Sequence, residues 1–403
     1  MVCTGCSCLC DDIQVEIEDG RLGRIENACA KGTAYLRSGV NPQRRARSLV
    51  RGQSVSVEEA VEEAARLLSK AKRRLIFGLD NSTLEAQAIA IDLTRKLGAV
   101  IDDASSFSWG ALIESLLCGQ LPTCSLSEVK DNADLLIYWG SNPPHTHPRH
   151  LSKFTYYAYT GYNPAGWFPK VKLSCVEVRD TELSFMCKPV FRIKPGGDRD
   201  FIRSVLGEAQ SGREDSRSFL EMVTKSHFCV IFCGAGLSYS LDGEFGLFND
   251  MVRRFSQTTR MAVIPMVAEA NLQGFSQSLY AQTGHVNQVS FGAGVSHGNE
   301  FSFAEQVRKG LAECVLVLGS DPFSALPQSL MRNLQGTSII CLDRFSTPTT
   351  IAADVVIPTA LPGLECGGSM VRMDGDKMAL VGPKKGDYPT EEEILKQLLQ
   401  RMG

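Results

Sequence analysis

The 403 residues lack any long apolar run. Hydrophobic residues make up 43 % of the chain, yet they fall in strand-sized stretches such as Leu135–Trp139 and Cys314–Leu318. None approaches the roughly 18 residues that a membrane-spanning helix needs. There is also no excess of either charge. Lys and Arg total 42 and Asp and Glu 45, so the formal net charge of -3 gives neither a basic footprint for nucleic acid nor an acidic tail. Met1-Val2-Cys3-Thr4-Gly5-Cys6 lacks the charged region followed by an apolar region that marks a secretory leader. The expectation is a cytoplasmic globular protein, built as two or more domains or one large lobed domain.

Cysteine, by contrast, is abundant. Fourteen thiols in a chain with no secretory signature point to free thiols or a metal cluster rather than to disulfides. Cys175, Cys229, Cys233, Cys314 and Cys341 sit singly in apolar runs and read as small buried hydrophobes. Cys3, Cys6, Cys8 and Cys10 are crowded together, and Cys29 follows a hairpin-like segment around Asp19-Gly20. The spacing Cys3-x2-Cys6-x3-Cys10 with a distant Cys29 suits three corners of an iron–sulfur cube and its closing fourth. Structural zinc usually takes two close-spaced cysteine pairs, and Cys29 has no near companion, which favours [4Fe-4S] over zinc. Cys8 is spare in this scheme.

Beyond a basic stretch from Arg44 to Arg51, strand and helix signals alternate. Ser56-Val57-Glu58-Glu59 is a capping-box pattern opening an amphipathic helix, and Ser82-Thr83-Leu84-Glu85 reads as a second one, with its helix ending at Gly98. A third, Thr390 to Glu393, opens the last helix. Apolar strands near residues 75–78, 99–102, 133–139, 172–178, 228–232, 261–264, 314–318 and 338–342 predict an α/β fold with parallel sheet covered on both faces.

One pattern occurs twice. Leu135–Trp139 runs into Gly140-Ser141-Asn142-Pro143, and a later strand ends at Val176-Glu177. Cys314–Leu318 runs into Gly319-Ser320-Asp321-Pro322, and the later strand ends at Leu342-Asp343. A glycine turn after a buried strand lets backbone N–H groups approach a phosphate, a following helix adds its positive end, and an acid on the next strand can accept from ribose or base. The alternative is a duplicated sheet whose tight turns hold no ligand. His145, His147 and His150 are interrupted by Pro148, so helical ligand spacing does not apply, and they read as cofactor-lobe or packing residues.

A four-cysteine N-terminus followed by two nucleotide-binding-like lobes resembles the molybdopterin oxidoreductase superfamily. More closely, the whole chain is similar to the B subunits of tungsten or molybdenum formylmethanofuran dehydrogenases. The resemblance is carried by Cys3-Thr4-Gly5-Cys6 through Cys10-Asp11-Asp12-Ile13 with Asn27-Ala28-Cys29, by Glu85-Ala86-Gln87-Ala88, and by the run from Trp139 to His147-Pro148-Arg149-His150. Ser346-Thr347-Pro348-Thr349-Thr350 and Gly363-Leu364-Glu365 complete it. It implies two Rossmann-like doubly wound lobes with a small cysteine-rich cap. The corresponding ranges are 1–50 for the cap, 51–225 for the first lobe with inserted elements, and 226–403 for the second lobe and C-terminal segment. It also implies molybdopterin guanine dinucleotide with tungsten or molybdenum. Gly140, Ser141, Asn142 and Glu177 would serve one nucleotide, and Gly319, Ser320, Asp321 and Asp343 the other.

The departure lies after Val100-Ile101-Asp102, where the family carries a metal-ligating cysteine followed by histidine. Here Ser108 and Trp109 stand in those places. A thiolate is a soft ligand suited to these metals, whereas an alkoxide is harder and more basic. Cys118 and Cys124, nearby in sequence, read as buried structural thiols. The resemblance therefore implies a subunit of a complex in methanofuran- and tetrahydromethanopterin-linked one-carbon metabolism, interconverting formyl-methanofuran, formate and carbon dioxide. Its alternatives are a non-redox scaffold subunit of the related formyltransferase/hydrolase complex, or an oxidoreductase that uses Ser108 as metal ligand. Partners are the other subunits, with no nucleic acid and no membrane.

Overall fold

A computed structural model describes residues 1–159, 171–208 and 213–402. The chain is a mixed α/β protein in two compact units, each assembled from separated segments. The first holds residues 1–106, 269–372 and 377–403; the second holds 107–268 and 373–376. Among the described residues no helix is long and apolar enough to cross a membrane.

The second unit has a five-stranded, wholly parallel sheet. Its order is Arg260–Pro265, Phe228–Cys233, Leu135–Trp139, Lys172–Glu177, Val190–Arg192. The central strands are apolar along their length because both faces are covered. Trp139 meets Phe201, Phe219 and Phe248 edge-on, and its Nε1–H donates to Asp198 at 2.6 Å, which satisfies the one polar atom of a fully buried indole. Tyr138 stacks on Phe232 with ring centroids 4.8 Å apart.

The first unit contains a nine-stranded mixed sheet. Its parallel centre runs Val100–Asp102, Arg74–Gly78, Cys314–Leu318, Ser338–Asp343, Val355–Pro358. Short antiparallel pieces at Leu49–Val50, Gln53–Ser54, Val289–Ser290 and Ser296–His297 extend both edges. Helix Val57–Lys70 carries the expected capping box at Ser56 and Glu59, and buries Ala60, Val61, Ala64, Ala65 and Leu68. Helix Glu391–Arg401 packs against both it and Leu84–Leu97, and the three share one apolar core with Ile76, Leu316 and Ile340. The Leu84–Leu97 helix differs at its start. Thr83, not Ser82, is the N-cap, and Glu85 turns away to accept from Ser369 Oγ and N. Gly98 closes it in the left-handed region, where a side chain would be strained.

The two sheets repeat one another in strand order. In each, two strands from one stretch of chain lie beside three from another, and the middle pairing joins the two stretches. In the second unit the three-strand stretch comes first in sequence; in the first unit it comes last. The units therefore interleave along the chain instead of following the consecutive ranges 51–225 and 226–403. The reason is strand pairing. Cys314–Leu318 bonds to Arg74–Gly78, across the whole intervening segment, while Leu135–Trp139 bonds to Phe228–Cys233. Residues 1–50 share the first unit rather than standing apart.

Leu316 lies fully buried at the centre of the larger sheet. Leu316→Ala should lower unfolding free energy by about 2–5 kcal/mol, read from denaturant melts, because a central strand cannot collapse into the void.

Candidate functional site

The cysteine-bearing N-terminus is a tight loop closed on itself. Cys3 N donates to Cys10 O at 2.8 Å and Leu9 N to Cys6 O at 3.1 Å, with Leu9 at φ +40°. Val2 and Leu9 anchor the loop by packing on Ala270, Met370 and Leu380. The hairpin Gln14–Glu18 with Arg21–Glu26 then returns the chain, as its Asp19-Gly20 turn predicts. Cys29 caps the helix Ala30–Val40, and its Sγ accepts from Gly32 N at 3.3 Å. Gly32 packs closely here: a Cβ would stand a tight 3.1 Å from Cys3 Sγ and 3.7 Å from Cys29 Sγ.

The thiols feel one another. Burial, with the neighbouring Cys6 and Cys29, pushes Cys3 up to about 12, against a lowering contact from the Gly5 backbone. Cys6 is lowered to about 7, chiefly by a hydrogen bond from Cys8. Cys8 is driven well up by that same contact and by burial, and it also senses Cys10 and Cys29. Cys8, left spare in the spacing scheme, thus sits within the nest and not outside it. Among the described residues no group of three or more His, Cys, Asp or Glu side chains is arranged to hold a metal ion. Such a group would converge on one point, whereas a cube distributes its four thiolates over four irons. The donor chemistry, five mutually influencing sulfurs with a backbone N–H aimed at one of them, is the kind that suits an iron–sulfur centre.

The repeated glycine turns are equivalent bond for bond. Gly140 N donates to Val176 O and Gly319 N to Leu342 O, both at 2.9 Å. Gly234 N donates to Trp139 O at 2.8 Å and Leu79 N to Leu318 O at 2.7 Å. Gly140 and Gly319 have φ of +58° and +57°. Each turn presses on the end of the adjacent strand. A Cβ on Gly234 would collide with Gly140 O, and one on Gly78 would collide with Leu318 O.

The surroundings of the two turns differ. Beside Gly140 lies a cavity of about 330 Å³, lined among others by Glu177, Asp198, Gly236, Tyr239 and Ser240. Gly140 and Glu177 both line this cavity. Ser141 and Asn142 do not line it; Asn142 Nδ2 instead donates to Glu182 at 2.5 Å, and its Oδ1 accepts from Leu183 N. Asp198, Gly236, Tyr239 and Ser240 were missed by sequence reasoning, although the Gly234-Ala235-Gly236 turn after an apolar strand carried a readable signal. At the other turn, Asp321 is engaged within the fold: Oδ1 accepts from Thr349 N and Oγ1, and Oδ2 from Ser324 Oγ. Asp343 is buried and accepts from Phe345 N. Asn81 Nδ2 donates to Gly319 O, and the buried Arg344 guanidinium lies beside Gly319. The helices after the turns, Pro143–Thr146 and Pro322–Ala325, are single turns. They are too short to offer the strong positive end expected of them.

Ser108 falls half-buried between the short helix Ala104–Phe107 and helix Gly110–Leu117. Trp109 beside it is buried. Cys118 is exposed, contrary to the expectation of a buried thiol, because it caps the exposed end of that helix; Cys124 is buried and pushed up to about 12. His147 is buried with its ring against Val267 O, and His150 packs edge-on against Tyr138 and Phe232. Both take the packing role.

Gly140→Ala should destabilise the fold by about 1–3 kcal/mol, since its Cβ would meet Leu237 N at 2.6 Å in a backbone region hostile to side chains. Gly20→Ala, also at positive φ but with nothing within 4 Å, should cost less. Paired denaturant melts compare them.

No family model matches the chain. It is 29 % identical over 426 residues to the B subunit of tungsten-containing formylmethanofuran dehydrogenase 2 from Methanocaldococcus jannaschii, covering all of this chain and 98 % of that protein. It is 26 % identical over 431 residues to the same-named protein of Methanococcus maripaludis, with equal coverage. Its fold is shared with a chain of the formyltransferase/hydrolase complex of Methylorubrum extorquens, crystallised with methylofuran. There the TM-score is 0.71 at 20 % identity, over 88 % of this chain and 98 % of that one. Acetylene hydratase of Pelobacter acetylenicus matches with a TM-score of 0.62 at 12 % identity, over 100 % of this chain and 69 % of that one. The chain is thus similar, along its whole length, to the B subunits of tungsten-containing formylmethanofuran dehydrogenases.

Proposed function

We propose that the chain is the B subunit of a formylmethanofuran dehydrogenase-type complex, acting in cytoplasmic one-carbon metabolism on formyl groups carried by methanofuran-like and tetrahydromethanopterin-like cofactors. Its place is that of a cluster-bearing subunit which supports partner subunits rather than one that reduces carbon dioxide itself. The observation that carries this is the pair Ser108–Trp109. A hard oxygen stands where a soft thiolate would hold tungsten or molybdenum, and a buried indole fills the volume next to it.

In this reading Cys3, Cys6, Cys10 and Cys29 hold a [4Fe-4S] cluster, with Cys8 against it and Gly32 N donating to the Cys29 sulfur. Such a cluster supplies one-electron transfer when bound. The two units are Rossmann-like lobes, and residues 1–50 form the cluster cap on the first. Gly140 and Glu177 frame a cavity that would take the nucleotide end of a pterin only in the metal-bearing alternative, and Asn142 holds the turn through Leu183 N. Gly319, Ser320, Asp321 and Asp343 form the equivalent turn, closed in by Asn81 and Arg344.

The retained thiol nest favours a second reading, in which molybdopterin guanine dinucleotide is bound and Ser108 ligates tungsten or molybdenum. Elemental and pterin analysis of the anaerobically purified complex separates the two. The expected result is about four irons per chain with neither tungsten, molybdenum nor pterin. Tungsten or molybdenum near one per chain, lost on Ser108→Ala, would overturn the supporting role. Cys29→Ser should strip most of the iron while the chain remains in its complex, read by iron content and size-exclusion elution.

A further inference from the structure

Four carboxyl groups crowd the edge of the larger sheet where Arg74–Gly78 and Val100–Asp102 end. Asp80, Asp102 and Asp103 are fully buried, and the charge of Glu269 acts on Asp80. The register brings them together: Phe77 is paired with Asp102, so the chain just beyond each strand runs side by side. Asn271 N holds the Asp80 carbonyl at 2.7 Å, which fixes that backbone.

Their hydrogen bonding is unequal. Asp102 is fully served. Its Oδ2 accepts from Phe303 N at 2.6 Å and Ser106 Oγ at 2.9 Å, and its Oδ1 from Gln288 N at 3.1 Å. Asp103 is half served. Its Oδ1 accepts from Ser105 Oγ at 2.5 Å and Ser105 N at 3.2 Å, and Asn287 Nδ2 in turn donates to Ser105 Oγ. Neither oxygen of Asp80, nor Oδ2 of Asp103, meets a donor at hydrogen-bond geometry. These two carboxyls face each other at the strand ends, with the Ala104 backbone beside Asp80. Two carboxylates offer only acceptors, so a contact between them needs a proton in the middle. Among the described groups that act most on either carboxyl there is no cation; the charged ones are Glu269, Asp102 and the two themselves.

We propose that Asp80 and Asp103 form a proton-binding dyad, two buried carboxyls that share a single proton taken from solvent. The shared proton removes one of two facing negative charges from a water-poor site and turns the orphan oxygens into a donor–acceptor pair. Burial and then the charge of Glu269 push Asp80 up to about 7, and burial with the charges of Asp80 and Asp102 raises Asp103 well above the carboxylate range. The dyad thus holds its proton near neutrality and titrates as a pair. Asp103 also anchors Ser105 in the Ala104–Phe107 turn, the segment that leads to Ser108. Loss of the proton sets two carboxylates against each other at that anchor. The site thereby couples proton occupancy to the conformation of the chain entering Ser108, whether or not a metal binds there.

Infrared difference spectra in H2O and D2O test this on the wild-type chain and on Asp80→Asn, Asp103→Asn and the double variant. Burial also raises Asp102 and Glu391 to about 7, so the dyad is read as the one protonated-carboxyl band, fading as pH rises through about 7, that depends on Asp80 and Asp103. Either single substitution should remove it completely, and the double variant should remove nothing more, because one proton serves both groups. Two bands lost in steps, or no band in the wild type, would overturn the proposal. The wild type supplies a test that needs no variant. The folded state holds a proton that the unfolded state releases near pH 4, so stability should fall as pH rises from about 4 to about 7. A melting temperature that rises across this window would overturn the dyad. So would one stoichiometric divalent cation in the purified chain whose chelation lowers the melting temperature, since a cation would then stand where the proton is placed.

Discussion

The doubled glycine turns of this chain hang on the approach of one backbone to another where parallel strands end. Gly234 against Gly140 O, and Gly78 against Leu318 O, leave no space for a Cβ. The strands Phe228–Cys233 and Leu135–Trp139, and their counterparts Arg74–Gly78 and Cys314–Leu318, are thereby clamped at their C-terminal ends. That edge is where open parallel sheets place their ligands. The cavity beside Gly140 lies at this edge, and Glu177 lines it.

The two copies of this clamp have diverged in what surrounds them. One opens onto a cavity; the other is covered by Asn81 and Arg344, with Asp321 spent on Thr349 and Ser324. Buried polar groups are stable only when paired, so side chains that satisfy one another across a turn also close it. The same rule explains the acidic edge of the first unit. Asp102 is surrounded by donors, whereas neither side-chain oxygen of Asp80 is paired at hydrogen-bond geometry.

The cysteine loop depends on a different constraint, the fit of thiols around Gly32 and the anchoring of Val2 and Leu9 in a small apolar cluster. Spacing alone could nominate Cys3, Cys6, Cys10 and Cys29, because short intervals limit where thiols can reach. It could not rule on Cys8, whose contact with Cys6 arises from the turn at Leu9.

Much was determined by local sequence. The Ser56–Glu59 capping box, the Gly98 stop, the Asp19-Gly20 hairpin and the doubled strand–Gly-Ser turn follow from propensities and turn chemistry that act over a few residues. The substitution of Ser108 and Trp109 was equally legible, since residue identity needs no fold. Tertiary structure alone decided the rest. The Thr83 cap replaced Ser82 because Glu85 found Ser369, and the following helices shrank to single turns at Pro143 and Pro322. Strand pairing between Arg74–Gly78 and Cys314–Leu318 spans most of the chain, so consecutive lobes became interleaved units. The proton between Asp80 and Asp103 belongs to the same class. It exists because two carboxyls from different strand ends are brought together in a fully buried site, and no local pattern encodes that proximity.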